Sequence, residues 1–236
     1  MKAATGSVFD FKNGLGPVPA HQHRNPDGTL GGWVADTAKA APTVTVGIKA
    51  LVSGKARVLD NAIVVDEAQV FGEAQIEGNA IVGGAALVYG KARVGNNAQV
   101  CGQARVFGEG WVGEEAEVGG NALVLDWAKV GGHAMVDGEA KVYGWAKAMG
   151  RALVFGRSCV GGHSKVDADA KIGGEAVVMG YAQLGGDVLI AGKSVIEDVK
   201  LNSGEYVDRN VNAAGQNQAT QQRNLTALLN LDCEIG

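Results

Sequence analysis

Hydrophobic positions recur every six residues along most of this chain. Between Gly32 and Ile196 an aliphatic residue stands at nearly every sixth position, mostly with Ala two positions before it and Gly, Asp or Asn two positions after it. In Lys55-Ala56-Arg57-Val58 the alternation places Ala56 and Val58 on one side of a strand and the two cations on the other. Such a short, fixed period is typical of a solenoid, in which each unit buries its apolar side against its neighbours.

A second period, of eighteen residues, lies inside the first. In every third unit the position after the aliphatic residue holds a large side chain, at Phe71, Tyr89, Phe107, Leu125 and Tyr143, whereas most of the units between them have Gly there. Gly, Asn and Asp tolerate positive φ and so form tight corners. Three corners close one coil. The sequence therefore predicts an all-β, three-sided parallel β-helix of about nine coils.

This array resembles the hexapeptide-repeat, left-handed parallel β-helix family. The resemblance covers about 170 residues and rests on the aliphatic residue and the small residue two positions before it. The commonest form of that motif has Gly directly after the aliphatic residue, whereas here Gly usually stands one position later. That variant is similar to the uninterrupted Ala-x-Val-x-Gly arrays of phage-associated and uncharacterised bacterial proteins. The left-handed winding and a phage or prophage setting are implied by the resemblance alone.

The chain divides into three regions, residues 1–28, 29–198 and 199–236. We interpret the first as an N-terminal cap over the open end of the repeat, the second as the β-helix and the third as a C-terminal cap or oligomerisation element with a short helix near 218–230. His21 and His23 in the first region fit hydrogen-bonded imidazoles of the cap. A metal site at this pair is the alternative, although the sequence shows no obvious third ligand.

Composition excludes several classes of protein. The formal net charge of −4 gives no global basic signal for nucleic acid, and no apolar run is long enough for a membrane span or a signal peptide. Three cysteines without metal-like spacing favour reduced thiols. We therefore expect a protein that is made in the cytoplasm and remains there or is assembled into a virion.

The resemblance also raises an enzymatic alternative, because many left-handed β-helix proteins are trimeric acyltransferases. Such an enzyme needs a His general base and a loop, extruded from a coil, that closes a site between subunits. Here the repeat has no insertion, and His133 and His163 fall on different faces. We predict no catalytic residue, no metal and no cofactor. An ice-binding rod is favoured less, because the few threonines cluster near one end.

Outward residues sort into three faces at eighteen-residue spacing. The first face carries outward aliphatics such as Leu87 and Leu123, and the third carries Ile63 and Ile81. Contiguous exposed apolar surface usually marks an interface, so we expect self-association, with a homotrimer favoured. Scattered surface aliphatics of no consequence are the alternative.

The second face has no acid in its mid-strand column. In the N-terminal half, Lys and Glu alternate in the column beside it. The C-terminal half instead repeats Trp-Ala-Lys at 127–129 and 145–147, followed by His-Ser-Lys at 163–165. We expect no charge that compensates these lysines. Like charges directly opposite one another destabilise a sheet, so we predict that a ligand offsets them.

We expect the tryptophan faces to bind sugars or bases, and the lysines to bind phosphate, sulfate or carboxylate. The ligand is accordingly an anionic polymer, a nucleotide or a carbohydrate, and a host protein is a further possible partner. The alternative is that the tryptophans cover the lysine stems or form a subunit contact. The predicted ligand-binding residues are Trp111, Trp127, Lys129, Tyr143, Trp145, Lys147, His163, Lys165 and Tyr181.

Overall fold

The chain winds into a three-sided parallel β-solenoid of about nine turns. The computed structural model describes residues 7–14, 16–202, 206–207 and 212–214. These residues form 33 strands in three sheets and no helix. The short helix expected near 218–230 and Cys233 lie outside the described residues. The three-sided all-β architecture predicted from the two periods is confirmed.

Most strands are two residues long, one strand per side of each coil. The first sheet begins with β1 (Val8–Asp10), β2 (Pro17–Arg24) and β3 (Leu30–Ala35) and continues with Leu51–Val52, Gln69–Val70, Leu87–Val88, Arg105–Val106, Leu123–Val124, Lys141–Val142, Cys159–Val160, Val177–Met179, Val195–Glu197 and Asn212–Ala214. The second sheet consists of Lys39–Ala40, Arg57–Val58, Gln75–Ile76, Arg93–Val94, Trp111–Val112, Lys129–Val130, Lys147–Ala148, Lys165–Val166, Gln183–Leu184 and Lys200–Leu201. The third sheet consists of Thr45–Val46, Ile63–Val64, Ile81–Val82, Gln99–Val100, Glu117–Val118, Met135–Val136, Leu153–Val154, Lys171–Ile172, Leu189–Ile190 and Tyr206–Val207.

The register follows the eighteen-residue period. From β3 to Val177–Met179 each strand of the first sheet pairs in parallel with the strand eighteen residues later, as Trp33 does with Leu51. The first departure comes near the C-terminal end of the second sheet, where Gln183 pairs with Lys200 and the coil is one residue shorter. Equivalent residues of successive coils are therefore stacked about 4.8 Å apart along the axis.

The core consists of two kinds of column. The aliphatic residues and the alanines two positions before them point inward, and nearly all have no exposed surface. Ala148 takes an aliphatic position, between Val130 and Val166 of the adjacent coils. Serines replace some inner alanines, and the hydroxyl of Ser164 donates to the carbonyl of Gly161 at 2.7 Å. The narrow alanine columns allow the three sheets to approach closely.

The corners have a left-handed backbone conformation. Besides many glycines, Asp60 (φ 57°) and Asp126 (φ 59°) adopt it, as the corner prediction requires. The Asp60 carboxylate also accepts a hydrogen bond from the backbone N–H of Gly78, one coil further on, at 2.9 Å. Ala168 (φ 57°) adopts the same conformation without a side-chain acceptor, which the sequence pattern did not predict.

An antiparallel hairpin covers the first coil. β1 pairs with β2, and β2 pairs with β3, the first strand of the solenoid. Phe9 packs between Phe11 and Trp33, with ring centroids 5.0 and 4.8 Å away. A hydrogen bond from the backbone N–H of Val46 to the Asn25 side chain, at 2.9 Å, ties the segment after β2 to the third sheet.

The two histidines of β2 have different surroundings. The Nδ1 atom of exposed His21 lies 2.9 Å from the Asp36 carboxylate. His23 is buried, and its Nε2 atom lies 3.0 Å from the carbonyl oxygen of Val44. Both imidazoles therefore hold the hairpin against the solenoid, in agreement with the hydrogen-bonded interpretation.

Candidate functional site

The second sheet aligns its outward residues into one column along the solenoid. We name this set the basic column: Lys39, Arg57, Gln75, Arg93, Trp111, Lys129, Lys147, Lys165, Gln183 and Lys200. Lys129, Lys147 and Lys165 occupy consecutive strands and are directly paired. The column contains no acid, and the shorter last coil extends it by one cation, Lys200, beyond the predicted set.

One lysine of this column has a compensating charge. The ammonium of Lys165 lies 2.7 Å from the Asp167 carboxylate, and this hydrogen bond lowers the pKa of Asp167 below its ordinary value. The expectation of no compensation in the C-terminal half is therefore wrong at Lys165, because Asp167 occupies the corner position beyond the same strand. Lys129 and Lys147 form no ion pair with any residue that the structure describes.

Four rings stack at the corner between the first and second sheets. We name this set the ring column: Trp127, Trp145, His163 and Tyr181. Successive centroids are 4.8, 4.8 and 4.9 Å apart, and the planes differ by at most 6°. Trp127 also donates its indole N–H to the Glu109 carboxylate at 3.1 Å. The four residues of the ring column therefore form a stack along four coils, with the edges of their rings pointing outward.

This stacking changes the expected use of the tryptophans. Trp145 has Trp127 on one face and His163 on the other, and His163 has Trp145 and Tyr181. The faces of these two rings are therefore covered by their neighbours. About half of each tryptophan surface is exposed, which leaves the ring edges for contact.

Trp111 is the aromatic member of the basic column and belongs to no ring stack among the described residues. Its six-membered ring occupies the space that a side chain at Gly113 or Gly131 would take, since a Cβ at Gly113 would lie 2.1 Å from its Cζ2 atom. Both glycines are buried, and Trp111 is half-buried. The indole therefore lies across two coils beside the cations.

An open groove of about 860 Å³ follows the middle of the basic column. Its walls are formed by Lys91, Arg93, Glu109, Trp111, Lys129, Lys147 and Met149. Lys91 lies 3.8 Å from the Glu109 carboxylate, so that acid is already paired. The groove combines unpaired cations with the apolar surface of an indole and a methionine.

Tyr143 takes a different place from the other predicted ligand-binding residues. It follows the strand Lys141–Val142 of the first sheet, and its ring occupies the space above Gly161. Burial, and to a smaller extent the charge of Cys159, raises the pKa of Tyr143 above its ordinary value. Tyr143 does not line the groove, whereas Trp111, Lys129 and Lys147 do. The structure thus brings these three together in the groove, places Trp127, Trp145, His163 and Tyr181 in the ring column and Lys165 in the next strand of the basic column, and sets Tyr143 apart.

Sequence reasoning missed the pairing of large side chains with glycines of the next coil. Tyr143 lies over Gly161, and Phe155 lies over Gly173. In each pair the two residues are eighteen positions apart. A large residue after the aliphatic position, followed by Gly one coil later, was the available signal.

The other two corners satisfy their polar groups internally. Between the second and third sheets, the side-chain amide of Asn79 donates to Asn97 at 3.0 Å, and Arg151 binds Asp169 at 2.7 Å. Between the third and first sheets, Arg157 lies 3.5 Å from Glu139 and 3.1 Å from Glu175. The corner beside the basic column differs from both in carrying the ring column.

The two histidines of the repeat lie at different corners. His133 is paired with Glu115 at 3.1 Å, and His163 is held in the ring column. Within the described part of the chain, no group of three His, Cys, Asp or Glu side chains is close enough to hold a metal ion. None of the described residues forms a helix that could cross a membrane.

Comparison with known proteins adds no functional assignment. No protein-family model and no curated protein sequence matches this chain. The groove and the two columns beside it are therefore the observations on which a function can be argued.

Proposed function

We propose that this protein is a non-enzymatic binding rod and that its second sheet binds an extended anionic ligand. The observation that carries the proposal is the direct pairing of Lys129 with Lys147, next to a groove in which neither ammonium has a described ion-pair partner. The groove runs along the column, so a ligand with repeated anionic groups can contact several coils.

The energetics favour a bound anion. Like charges directly opposite in a sheet are destabilising by an amount of the same order as a favourable pair, roughly 0.2–1 kcal/mol. Elsewhere on this solenoid, stacked charges of opposite sign lie next to each other, as at Lys49 and Glu67. Alternating lysines and glutamates would have been compatible with the second sheet as well, so its row of lysines is not required by the fold. An anion lying between Lys129 and Lys147 converts their repulsion into two charge-assisted hydrogen bonds.

The test is a charge reversal in the groove, Lys129→Glu with Lys147→Glu, compared with a matched reversal on the other two faces, Lys141→Glu with Lys171→Glu. The probes are heparin, polyphosphate and oligothymidylate, measured by fluorescence anisotropy at low and at physiological salt. Because each lost charge pair weakens binding, we expect the groove variant to bind at least about tenfold more weakly. The control variant should bind as the wild type does.

Equal affinities of the two variants would refute the proposal, because a general charge effect does not depend on the face. Failure of the wild-type protein to bind any of the three polyanions would refute it as well. Affinity should also fall as salt rises, since exposed charges are screened over about 8 Å at physiological ionic strength.

The handedness of the coil, the biological setting, the location and the oligomeric state belong to the same proposal. The resemblance supports a left-handed winding and a phage or prophage setting, with the protein in the cytoplasm or assembled into a virion. Outward apolar residues on the first and third faces, such as half-buried Leu123 and Leu153 and exposed Met135, support self-association as a homotrimer. A solution mass of three chains is expected, and a monomeric mass would contradict the trimer. A host protein is a further candidate partner for the second face.

A further inference from the structure

We infer that the anionic ligand is an acidic polysaccharide, a linear chain of sugar rings with carboxylate or sulfate groups, and that Trp111 is the surface on which one sugar ring lies. This inference rests on the proposed function, because it names the chemical class of the ligand of the same groove. Single-stranded nucleic acid is the competing class, and the two make different demands on aromatic side chains.

The ring column does not accommodate bases. Proteins that bind single strands without sequence preference stack successive bases on aromatic faces. A base inserted between two rings needs a separation of about 7 Å, twice the 3.4 Å thickness of a stacked base. Trp127 and Trp145 are 4.8 Å apart, as are Trp145 and His163. One coil sets this spacing, so the stack cannot open without breaking the sheet.

The outward edges of the ring column suit an acidic ligand. Aromatic rings carry a negative face and a positive edge, so edges that point outward attract negative groups. Trp127 directs its indole N–H to Glu109, which shows that a carboxylate already occupies this edge at one end of the column. The ring column therefore presents weakly positive edges at the corner next to the second sheet.

Trp111 supplies an aromatic surface that no other ring among the described residues covers, which the ring column lacks. It lies over Gly113 and Gly131 rather than on another ring, and it lines the groove together with Lys129 and Lys147. The apolar C–H face of a pyranose packs on an indole, and an acidic substituent of the same sugar then reaches an ammonium. Met149 lines the same groove and extends the apolar surface by one coil.

The spacing of the cations also fits a sugar chain. Lys129 and Lys147 are separated by one coil, about 4.8 Å, which is close to the length of one pyranose unit in an extended chain. A chain that runs along the solenoid axis therefore presents about one acidic sugar to each coil.

The experiment ranks ligands on the full wild-type chain by calorimetry. The probes are an oligogalacturonate, a heparin oligosaccharide, an oligothymidylate with the same number of charges and neutral maltohexaose. We expect at least one acidic oligosaccharide to bind about tenfold more tightly than the oligothymidylate, and maltohexaose to bind more weakly than the acidic sugars. Oligothymidylate binding as tightly as both acidic sugars would overturn the inference without any variant.

A substitution then tests the indole. Trp111→Met keeps an apolar cover over the glycines, as Met149 does from the next coil, and removes the aromatic surface. We expect about tenfold weaker binding of the acidic oligosaccharide with an unchanged melting temperature, whereas Trp145→Met, in the ring column, should weaken it less than about twofold. Equal affinities of wild type and Trp111→Met would overturn the role of Trp111.

The two proposals fail in different ways. Oligothymidylate that binds wild type as tightly as both acidic sugars, and loses that binding in the Lys129→Glu, Lys147→Glu variant, would leave the anion-binding rod intact and refute the polysaccharide. Acidic sugars that bind wild type and this double variant equally would refute the anion-binding rod itself.

Discussion

Ala168 offers a direct measurement of how strongly the corners constrain the sequence. Its φ of 57° lies in the left-handed region, which costs a non-glycine residue about 1–2 kcal/mol. Ala168→Gly removes that cost but increases the conformational entropy of the unfolded chain, which costs about 0.4–1 kcal/mol. The backbone N–H that bonds the Asp167 carboxylate at 2.7 Å is kept. The expected net effect is a stabilisation of about 0.5–1 kcal/mol.

The reverse substitution one coil earlier is the matched control. Gly150 has a φ of 65° and lies eighteen residues before Ala168 at the same corner. A Cβ at Gly150 would lie 2.7 Å from the backbone nitrogen of Ala168, so Gly150→Ala adds a backbone clash to the conformational cost. We expect it to destabilise the protein by about 1–3 kcal/mol.

Thermal unfolding followed by circular dichroism measures both effects. For a chain of this size, 1 kcal/mol shifts Tm by about 2–4 °C. Ala168→Gly should raise Tm by about 1–4 °C, and Gly150→Ala should lower it by at least about 2 °C. A lower Tm for Ala168→Gly would refute the reasoning, because the left-handed backbone would then impose no cost at this corner. The same signs should be found in urea, where the transition midpoint reports stability.

Two further predictions concern the core and Tyr143. Ala148→Val restores the aliphatic column next to the groove. At about 0.8 kcal/mol per buried methylene, it should stabilise the protein by about 1 kcal/mol in thermal unfolding. Ala146→Val overpacks the narrow alanine column and should destabilise the protein. Because the pKa of Tyr143 is raised by burial, its neutral phenol contributes stability that is present below the ordinary value of 10.0 and lost as pH rises through the folded-state pKa. In an absorbance titration, Tyr143→Phe should remove the step with the highest pKa; an unchanged profile would contradict the burial of this ring.

Much of the fold follows from the sequence because every contact in a solenoid is a repetition. Alternation along Lys55-Ala56-Arg57-Val58 decides which residues point inward, and positive φ at residues such as Asp60 decides where the chain turns. Both signals are local. The eighteen-residue register that aligns Lys129 with Lys147 then follows from the absence of insertions between them.

The geometry of the candidate site follows less directly. Spacing aligns Trp127 with Trp145, but whether their rings face outward or stack depends on side-chain torsions at the corner. The same holds for Trp111, which lies over Gly113, and for Lys165, which reaches Asp167 two positions further on. Periodicity gives the position of each Cβ, whereas contacts between long side chains depend on the space that neighbouring coils leave open.

The hairpin at the N-terminal end has a consequence for how copies of this molecule can meet. A solenoid resembles a short fibril, since each coil is a template for a parallel coil stacked upon it. At this end β2 occupies the edge of β3 and is itself covered by β1, so the three-residue strand β1 forms the edge of the first sheet. The first strand of the second sheet is only two residues long and presents Lys39. Because very short strands and an exposed lysine are devices that blunt a sheet edge, fibre growth by edge pairing is opposed at this end.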